Sequence, residues 1–266
     1  MPFETLSPDP TDPDPLHAEQ ALLEQASAGR WLAHLWQAPV SLVVPRSYLR
    51  HAQLEAARAD FAARGCPVWL RLSGGGLVPQ GPGILNLSLA YPVRGGAGTY
   101  AEAVYLHLCE VLAGALATLG LQTHWQAVDG SFCDGRFNLA WGPLEHARKI
   151  AGTAQYWRRV AGAEDPSLHV VLAHAVLLVS ADPQEINRRA NDFEDAIGSA
   201  RRYRADKVVS VAQALAQSGQ PVPAGLANLT AQALRGALDA TPPRFAAPPQ
   251  PLPNSTARPE PTPSRE

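Results

Sequence analysis

The stretch Arg71-Leu-Ser-Gly-Gly-Gly-Leu-Val-Pro-Gln-Gly-Pro-Gly-Ile-Leu-Asn-Leu-Ser88 carries most of the information about the fold of this chain. It joins a strand predicted over 68–72 to another predicted over 84–90 through a glycine-rich loop. Glycine permits positive φ and lets backbone N–H groups approach a ligand, and an arginine at the mouth of the loop can bind a carboxylate or phosphate. The loop lacks the Gly-Lys-Ser/Thr ending of a P-loop, and no helix follows it as in a dinucleotide fingerprint. A ligand-binding loop and a flexible hairpin both stay open at this point.

The rest of the chain predicts an α+β fold with mixed, largely antiparallel sheets and flanking helices. Leu85, Leu87 and Leu89 alternate with Asn86 and Ser88, which predicts a strand with one face against the core. Strands and helices come in clusters rather than in strict alternation. Helices are predicted over 16–28, 48–63, 99–119, 182–197, 207–217 and 224–238, and strands over 31–36, 40–44, 68–72, 84–90, 123–128, 136–141, 149–157 and 169–179.

Composition limits the class of protein. Of the 266 residues, 46% are hydrophobic and the net charge is -2, so nothing indicates a nucleic-acid binder. Segments 1–15 and 241–266 are rich in proline and predict disorder, which leaves one ordered domain over 16–240. We find no secretory signal and no apolar run of about 18 residues that would span a membrane, so we expect a cytoplasmic protein.

The glycine stretch resembles a segment of the lipoate–protein ligase and octanoyltransferase family, within the biotin/lipoate ligase catalytic-domain superfamily. The shared positions here are Arg71, Ser73, Gly74, Gly75, Gly76, Val78, Gly83, Leu85, Asn86 and Ser88. Leu70 stands where the family has a second arginine. In that family the segment lines the tunnel that holds the acyl chain. The resemblance therefore implies substrate binding by Arg71, Ser73, Gly74–Gly76 and Asn86.

A second segment contains a cysteine and one of only two lysines, Cys133 and Lys149. A thiolate can take an acyl group and pass it to an amine, and a nearby ammonium lowers the pKa of a thiol and stabilises an oxyanion. Cys66 and Cys109 are predicted to be buried and inert. From the residues alone, Cys133 is as compatible with a buried position as with an exposed loop, and Lys149 with a solvated surface.

The family resemblance changes both interpretations. Family members share a Lys-x-x-Gly-x-Ala/Ser-Gln segment, which Lys149, Gly152, Ala154 and Gln155 match. The resemblance implies that Gly152 and Ala154 bind the substrate. The octanoyl amidotransferase branch has a Ser-Tyr-Cys-Pro-Gly segment before that lysine. Ser131, Cys133 and Gly135 fit it, whereas Phe132 and Asp134 depart from it. This branch is the closest in motif, and it implies catalytic roles for Cys133 and Lys149.

Two other segments leave alternatives open. His174 begins a segment similar to His-Gly-x-Leu-Leu in the family, and it is either a substrate-binding residue or a satisfied core histidine. The stretch Arg201–Arg204 is predicted to be a solvated face, or a surface for an acidic carrier domain.

Three functions follow from these motifs. The first is an acyltransferase that moves an octanoyl or lipoyl group through a Cys133 thioester to a lysine of a lipoyl-domain or glycine-cleavage H-type carrier, with no metal or nucleotide. The second is a ligase that uses ATP and Mg. ATP-dependent ligases have an Asn-Asp pair where this chain has Phe137 and Asn138, which counts against it. The third is a non-catalytic acyl-binding protein. No nucleic-acid or membrane partner is expected.

Overall fold

The computed structural model of the chain describes residues 3–6 and 14–246. Its larger sheet has seven strands in the spatial order β1-β2-β6-β10-β9-β8-β7, and its smaller sheet has the order β4-β3-β5. The strands are β1 (Glu4–Thr5), β2 (Leu32–Trp36), β3 (Ser41–Pro45), β4 (Val68–Arg71), β5 (Val78–Gln80), β6 (Ile84–Arg94), β7 (His124–Trp125), β8 (Leu139–Trp141), β9 (Arg148–Arg159) and β10 (Leu168–Leu178). Apart from the parallel pairs β1–β2 and β3–β4, neighbouring strands are antiparallel, as predicted.

Six α-helices flank the sheets, and short 3₁₀ turns connect them. The helices are α1 (Pro15–Ser27), α2 (Leu54–Ala63), α3 (Ala97–Thr118), α4 (Pro183–Ala196), α5 (Val211–Gln217) and α6 (Leu226–Ala240). Local sequence explains where two of them begin: the carboxylates of Asp14 and Asp182 cap α1 and α4, and each is followed by a proline in the first turn. The cap at Asp182 confirms the helix start predicted there.

The large sheet is buried on both faces. On one face Leu85, Leu87 and Leu89 of β6 pack in a core that includes α3 and α6. On the other face a second core lies under α2, α4 and the small sheet, and a third lies under α1. The predicted strand with one face against the core is confirmed, and its other face is covered too, because Asn86 and Ser88 are buried as well. These two polar residues face a cavity between the sheets.

Several predicted boundaries are wrong where a cap or turn interrupts the pattern. The helix predicted over 48–63 is a 3₁₀ turn at Arg46–Arg50 followed by α2, and the one over 207–217 begins only at Val211 because Ser210 caps it. The predicted strands over 123–128 and 136–141 shrink to two and three residues. The glycine loop contains β5, which pairs with β3.

Parts of the two predicted disordered ends are ordered. Glu4–Thr5 adds a strand beside β2, so the prediction of disorder is wrong there. Phe245 packs against Tyr91, Tyr100 and His107, so the predicted tail is ordered at its beginning. The other predicted disordered residues, 1–2, 7–13 and 247–266, lie outside the described residues.

Helix α3 has the length and hydropathy of a membrane-spanning helix. It is the one such helix in residues 3–6 and 14–246, and the expectation that no such run exists is wrong. In the structure its buried side, which includes Leu108, Val111 and Leu112, belongs to the core beneath the large sheet. A helix that is buried in a protein core can have the same length and hydropathy as a helix that spans a membrane.

Candidate active site

A cavity lies between the two sheets, beside the start of α1. Its empty space, open mouth included, is about 550 Å³. The predicted site residues that line it are Arg71, Ser73, Asn86, Cys133, Lys149, Gly152, Ala154 and His174. The other three, Gly74, Gly75 and Gly76, belong to the loop beside Cys133 rather than to the cavity wall. The fold therefore brings two segments about sixty residues apart to one place.

Strand register builds the floor of the cavity. Gly152 on β9 lies beside Val176 on β10, which lies beside Asn86 on β6. Two residues further along β9, Ala154 lies beside His174 of β10. Because side chains alternate between the faces of a strand, these residues project from one face, and the small residues at 152 and 154 leave space above them.

Cys133 sits in a loop with an unusual backbone. It has a φ of 45°, the one positive φ at a non-glycine position among the described residues, and an L-residue in this region is strained. Asp134, which departs from the family motif, holds the loop: its carboxylate accepts from the Val128 N–H at 2.9 Å and from the Asn138 amide at 3.3 Å. The loop presents Cys133, which is partly buried, to the cavity.

The glycine loop wraps around the Cys133 sulfur. The Gly76 N–H donates to Sγ at 3.3 Å, and Nη2 of Arg71 lies 3.8 Å from the same atom. A Cβ at Gly75 would lie 2.7 Å from Sγ, and Gly75 has a φ of 103°. A side chain at 75 would therefore clash with the sulfur and strain the backbone. Arg71 is itself buried, and it donates to the carbonyls of Gly74 at 2.8 Å and Gly76 at 2.7 Å.

Lys149 is fully buried. Its Nζ donates to the Phe132 carbonyl at 2.5 Å and to the Cys133 carbonyl at 3.2 Å, and it lies 4.4 Å from the centre of the Phe132 ring. An ammonium has three N–H donors, so one remains for a group in the cavity. Gly152 makes room for this side chain, because a Cβ there would lie 2.8 Å from Nζ.

These charges set the pKa values of the pair. Burial by itself raises the pKa of the Cys133 thiol, but the charges of Lys149 and Arg71, with the Gly76 N–H, outweigh it and lower that pKa below its ordinary value. Burial lowers the pKa of Lys149 to about 8, although the negative charges of Cys133 and Asp134 oppose this shift. The charges around Cys133 therefore favour its thiolate form.

A chain of polar side chains lines another part of the cavity. The His174 Nδ1 lies 3.0 Å from the Ser88 hydroxyl, which accepts from the Trp36 indole at 3.1 Å. Nε2 of His174 lies 3.2 Å from Glu19, whose other carboxylate oxygen accepts from the Leu72 N–H. His174 lines the cavity, and its Nε2 makes no hydrogen bond within the described part of the chain, so the ring is not fully satisfied and substrate binding stays a prediction.

An amide pair and a buried hydroxyl also line the cavity. The amides of Gln80 and Asn86 pair reciprocally at 2.8 and 2.9 Å. The Ser73 hydroxyl is buried and has no hydrogen-bond partner among the residues that the structure describes. No group of three or more His, Cys, Asp or Glu side chains in that part of the chain is suited to hold a metal ion.

Sequence reasoning missed Glu19, Trp36 and Gln80 as lining residues. Glu19 carried a usable signal, because it lies three and four positions before the buried Leu22 and Leu23 and hence on the buried face of α1. Trp36 and Gln80 carried none.

The stretch Arg201–Arg204 is only partly a solvated face. Tyr203 is buried, and Arg201 donates to the Tyr48 hydroxyl at 3.1 Å and lies beside Gly76. Arg202 and Arg204 are exposed and pair with Asp195 and Asp206.

The model of the lipoyl protein ligase A/B catalytic domain matches residues 13–224. The chain belongs to this family. The predicted family and α+β fold are thereby confirmed. Within the family, a protein of Cupriavidus necator whose function is uncharacterised is 65% identical, over 86% of this chain and 93% of its own length.

A relative with a stated activity is more distant. An octanoyl-(GcvH):protein N-octanoyltransferase of Kyrpidia tusciae is 36% identical over 65% of this chain, and the match spans 59% of that enzyme. Among solved structures, lipoate-protein ligase A bound with ATP has a TM-score of 0.58 at 15% identity, with 90% of this chain and 86% of that chain covered. A bi-partite lipoate protein ligase of Thermoplasma acidophilum has a TM-score of 0.55 at 17% identity, with 90% and 84% covered. At these identities the structural likeness concerns the fold alone.

Proposed function

We propose that this protein is an acyltransferase that moves an octanoyl or lipoyl group to a lysine of a lipoyl-domain protein through a thioester on Cys133. The observation that carries the proposal is the surroundings of the Cys133 sulfur. The sulfur accepts a hydrogen bond from the Gly76 N–H and lies 3.8 Å from the Arg71 guanidinium, and Cys133 lines the cavity between the two sheets. The core cysteine Cys109 differs: its thiol donates to the Phe137 carbonyl at 3.4 Å, and burial raises its pKa to about 12.

The first half-reaction forms the acyl-enzyme. The Cys133 thiolate attacks the carbonyl carbon of the acyl group on the donor, either an amide of a carrier lysine or a thioester. The new C–S bond places negative charge on the carbonyl oxygen, which the free N–H of the Lys149 ammonium can stabilise. The bond to the donor then breaks, and the departing amine or thiolate takes up a proton. The charges of Lys149 and Arg71 lower the pKa of Cys133 and so favour its thiolate before attack.

The second half-reaction transfers the group to the acceptor. The neutral amine of the acceptor lysine attacks the thioester carbon, the C–S bond breaks, and the Cys133 thiolate leaves as the amide forms. A proton is released from the acceptor nitrogen. The transfer is redox-neutral, and it exchanges an acyl linkage on the donor, amide or thioester, for an amide on the acceptor, so it requires neither a redox cofactor nor activation by a nucleotide.

The cavity suits the acyl chain because its polar groups are mostly paired with one another. Apolar side chains, including Val43, Val78 and Val176, line it, whereas the amides of Gln80 and Asn86 satisfy each other. An apolar chain can therefore enter without leaving those groups unpaired. The Kyrpidia relative, whose donor is octanoyl-GcvH by name, supports an H-type carrier as the donor.

A transfer assay with mass spectrometry tests the proposal. The protein is incubated without ATP with an octanoylated H-type carrier and an unmodified lipoyl domain, and the products are resolved on intact proteins. We expect octanoylated lipoyl domain, a trapped octanoyl adduct on Cys133 and no transfer by Cys133→Ala. The matched control is Cys109→Ala, which removes a core thiol and leaves transfer intact. Full activity of Cys133→Ala would refute the thioester.

The ATP-dependent ligase is the second candidate, supported by the fold likeness to a ligase bound with ATP. Against it stands Asn138, which is buried and bonded to Asp134 at the position where ligases carry an acidic residue. Pyrophosphate release from ATP that depends on free lipoate or octanoate would favour the ligase. Tight octanoate binding without transfer from any donor would favour the non-catalytic acyl-binding protein.

A further inference from the structure

The peptide bond between Gly76 and Leu77 is held from both of its ends. Its carbonyl, on Gly76, accepts from Nη2 of Arg71 at 2.7 Å, and its N–H, on Leu77, donates to the Tyr48 hydroxyl at 3.2 Å. The preceding N–H, on Gly76, is the one that donates to the Cys133 sulfur. The Gly76 N–H belongs to the preceding peptide plane, and on its other side the Gly74 carbonyl also accepts from Nη2 of Arg71 at 2.8 Å. Because the three glycines before Leu77 impose little restriction of their own, these hydrogen bonds on both sides limit where the Gly76 N–H points.

Three hydrogen-bond partners fix the orientation of the Tyr48 hydroxyl. It donates its single hydrogen to Oε1 of Glu194 at 2.6 Å and accepts from the Leu77 N–H and from Nη1 of Arg201 at 3.1 Å. A hydroxyl has one donor and two acceptor positions, and all three are used. The guanidinium and the amide can only donate, so the phenol must donate to the carboxylate.

Glu194 anchors the other end of this arrangement. Its side chain is fully buried on α4, and Oε1 accepts from both Tyr48 and Tyr203 at 2.6 Å. Neither Tyr48 nor Glu194 lines the cavity, so neither is placed to touch an acyl group. A buried carboxylate costs desolvation energy, and Oε2 of Glu194 has no hydrogen-bond partner among the described residues, so the two phenols on Oε1 are what hold the side chain.

We propose that Tyr48 and Glu194 are positioning residues, which hold the Gly76–Leu77 peptide so that the Gly76 N–H stays on the Cys133 sulfur. The inference rests on the proposed function, since it assumes that the thiolate of Cys133 is the reactive form. Tyr48 acts through the backbone, and Glu194 acts through Tyr48. Loss of the arrangement loosens the N–H···S contact and lowers the fraction of thiolate at neutral pH.

Tyr48→Phe and Tyr203→Phe form a matched pair of variants. Each removes one hydroxyl that donates to the same oxygen of Glu194, but only the Tyr48 hydroxyl bonds the glycine loop among the described residues. The rate of Cys133 alkylation by iodoacetamide is measured between pH 5 and 10 by peptide mass spectrometry, with no acyl donor present. We expect Tyr48→Phe to slow alkylation at pH 7 by about threefold to tenfold and to move the midpoint upward, because a hydrogen bond to a charged acceptor is weakened. Tyr203→Phe should keep the wild-type midpoint.

A measurement on the wild type covers the case in which Tyr48→Phe does not fold. The Gly76 amide proton should shift with pH at the same midpoint as Cys133 alkylation, and the Leu77 amide should exchange as slowly as amides of β6. A wild-type alkylation profile for Tyr48→Phe, an equal change in Tyr203→Phe, or a Gly76 resonance indifferent to the Cys133 titration would overturn the inference. Alkylation does not require acyl transfer, so these outcomes are distinct from the retention of activity by Cys133→Ala.

Discussion

Gly152→Ala tests whether the position of the Lys149 ammonium supports both the stability and the reactivity of the site. Gly152 lies in β9 without a positive φ, so its backbone would accept alanine, and alanine in a strand ordinarily gains about 0.5–1 kcal/mol over glycine. Here, however, the added Cβ would lie 2.8 Å from Nζ and 2.9 Å from Cε of Lys149. The lysine must move.

The cost follows from what Lys149 would lose. Its Nζ is held by the Phe132 carbonyl at 2.5 Å and the Cys133 carbonyl at 3.2 Å, and the side chain is fully buried. A shift of several tenths of an ångström sacrifices at least one hydrogen bond to a charged donor, which is worth about 1.5–3 kcal/mol. After the strand gain is subtracted, we expect Gly152→Ala to destabilise the protein by about 1–2 kcal/mol and to slow alkylation of Cys133.

Urea unfolding and iodoacetamide alkylation, run on the same preparations, provide the assay. The matched control is Gly236→Ala in α6, where an added Cβ meets nothing within 4 Å and should stabilise the protein by about 1 kcal/mol. The two glycine-to-alanine changes are thus expected to have opposite signs. If Gly152→Ala is as stable as the wild type and its cysteine reacts at the wild-type rate, the argument that Gly152 makes room for Lys149 is refuted.

Three further predictions concern the same site. Gly75→Ala should destabilise the protein by about 1–3 kcal/mol and abolish transfer, because its Cβ would lie 2.7 Å from the Cys133 sulfur at a φ of 103°. The control Gly74→Ala should be tolerated, since an added Cβ there meets nothing within 4 Å. Thermal unfolding and the transfer assay check this, and equal behaviour of the two variants would contradict it. Burial lowers the pKa of Lys149 from 10.5 to about 8, so the unfolded chain binds more protons than the folded chain between those pH values. The unfolding free energy of the wild type relative to Lys149→Met should therefore rise as the pH is raised from about 8 to about 10. A flat or falling difference in urea titrations would count against this. Asn86→Leu should lower the unfolding free energy by about 1–3 kcal/mol because it leaves the Gln80 amide unpaired, and adding Gln80→Leu should restore part of that stability. Strict additivity of the two changes in this double-mutant cycle would exclude the pairing.

Much of the fold follows from local sequence because its causes are local. The alternation of leucines over 84–90 predicts β6, and Asp182-Pro183 predicts the start of α4, since a cap and a fixed φ act within a few residues. Boundaries fail where a distant contact intervenes. The strand β5 inside the glycine loop exists because Val78–Gln80 pairs with β3, about forty residues earlier, and no local pattern reports that pairing.

The sequence by itself pointed to the cysteine, the lysine and the glycine loop of the candidate site, because these segments resemble a family pattern, but it missed Glu19, Trp36 and Gln80. Only the tertiary structure decided what surrounds the sulfur. The register of β6, β9 and β10 places Asn86, Gly152 and His174 on one face of the large sheet. The packing of α4 places Glu194 within hydrogen-bond distance of Tyr48. Such contacts join residues separated by dozens of positions. Their geometry is set by the packing of whole elements and by the need to pair buried polar groups, neither of which is written in any short stretch of the chain.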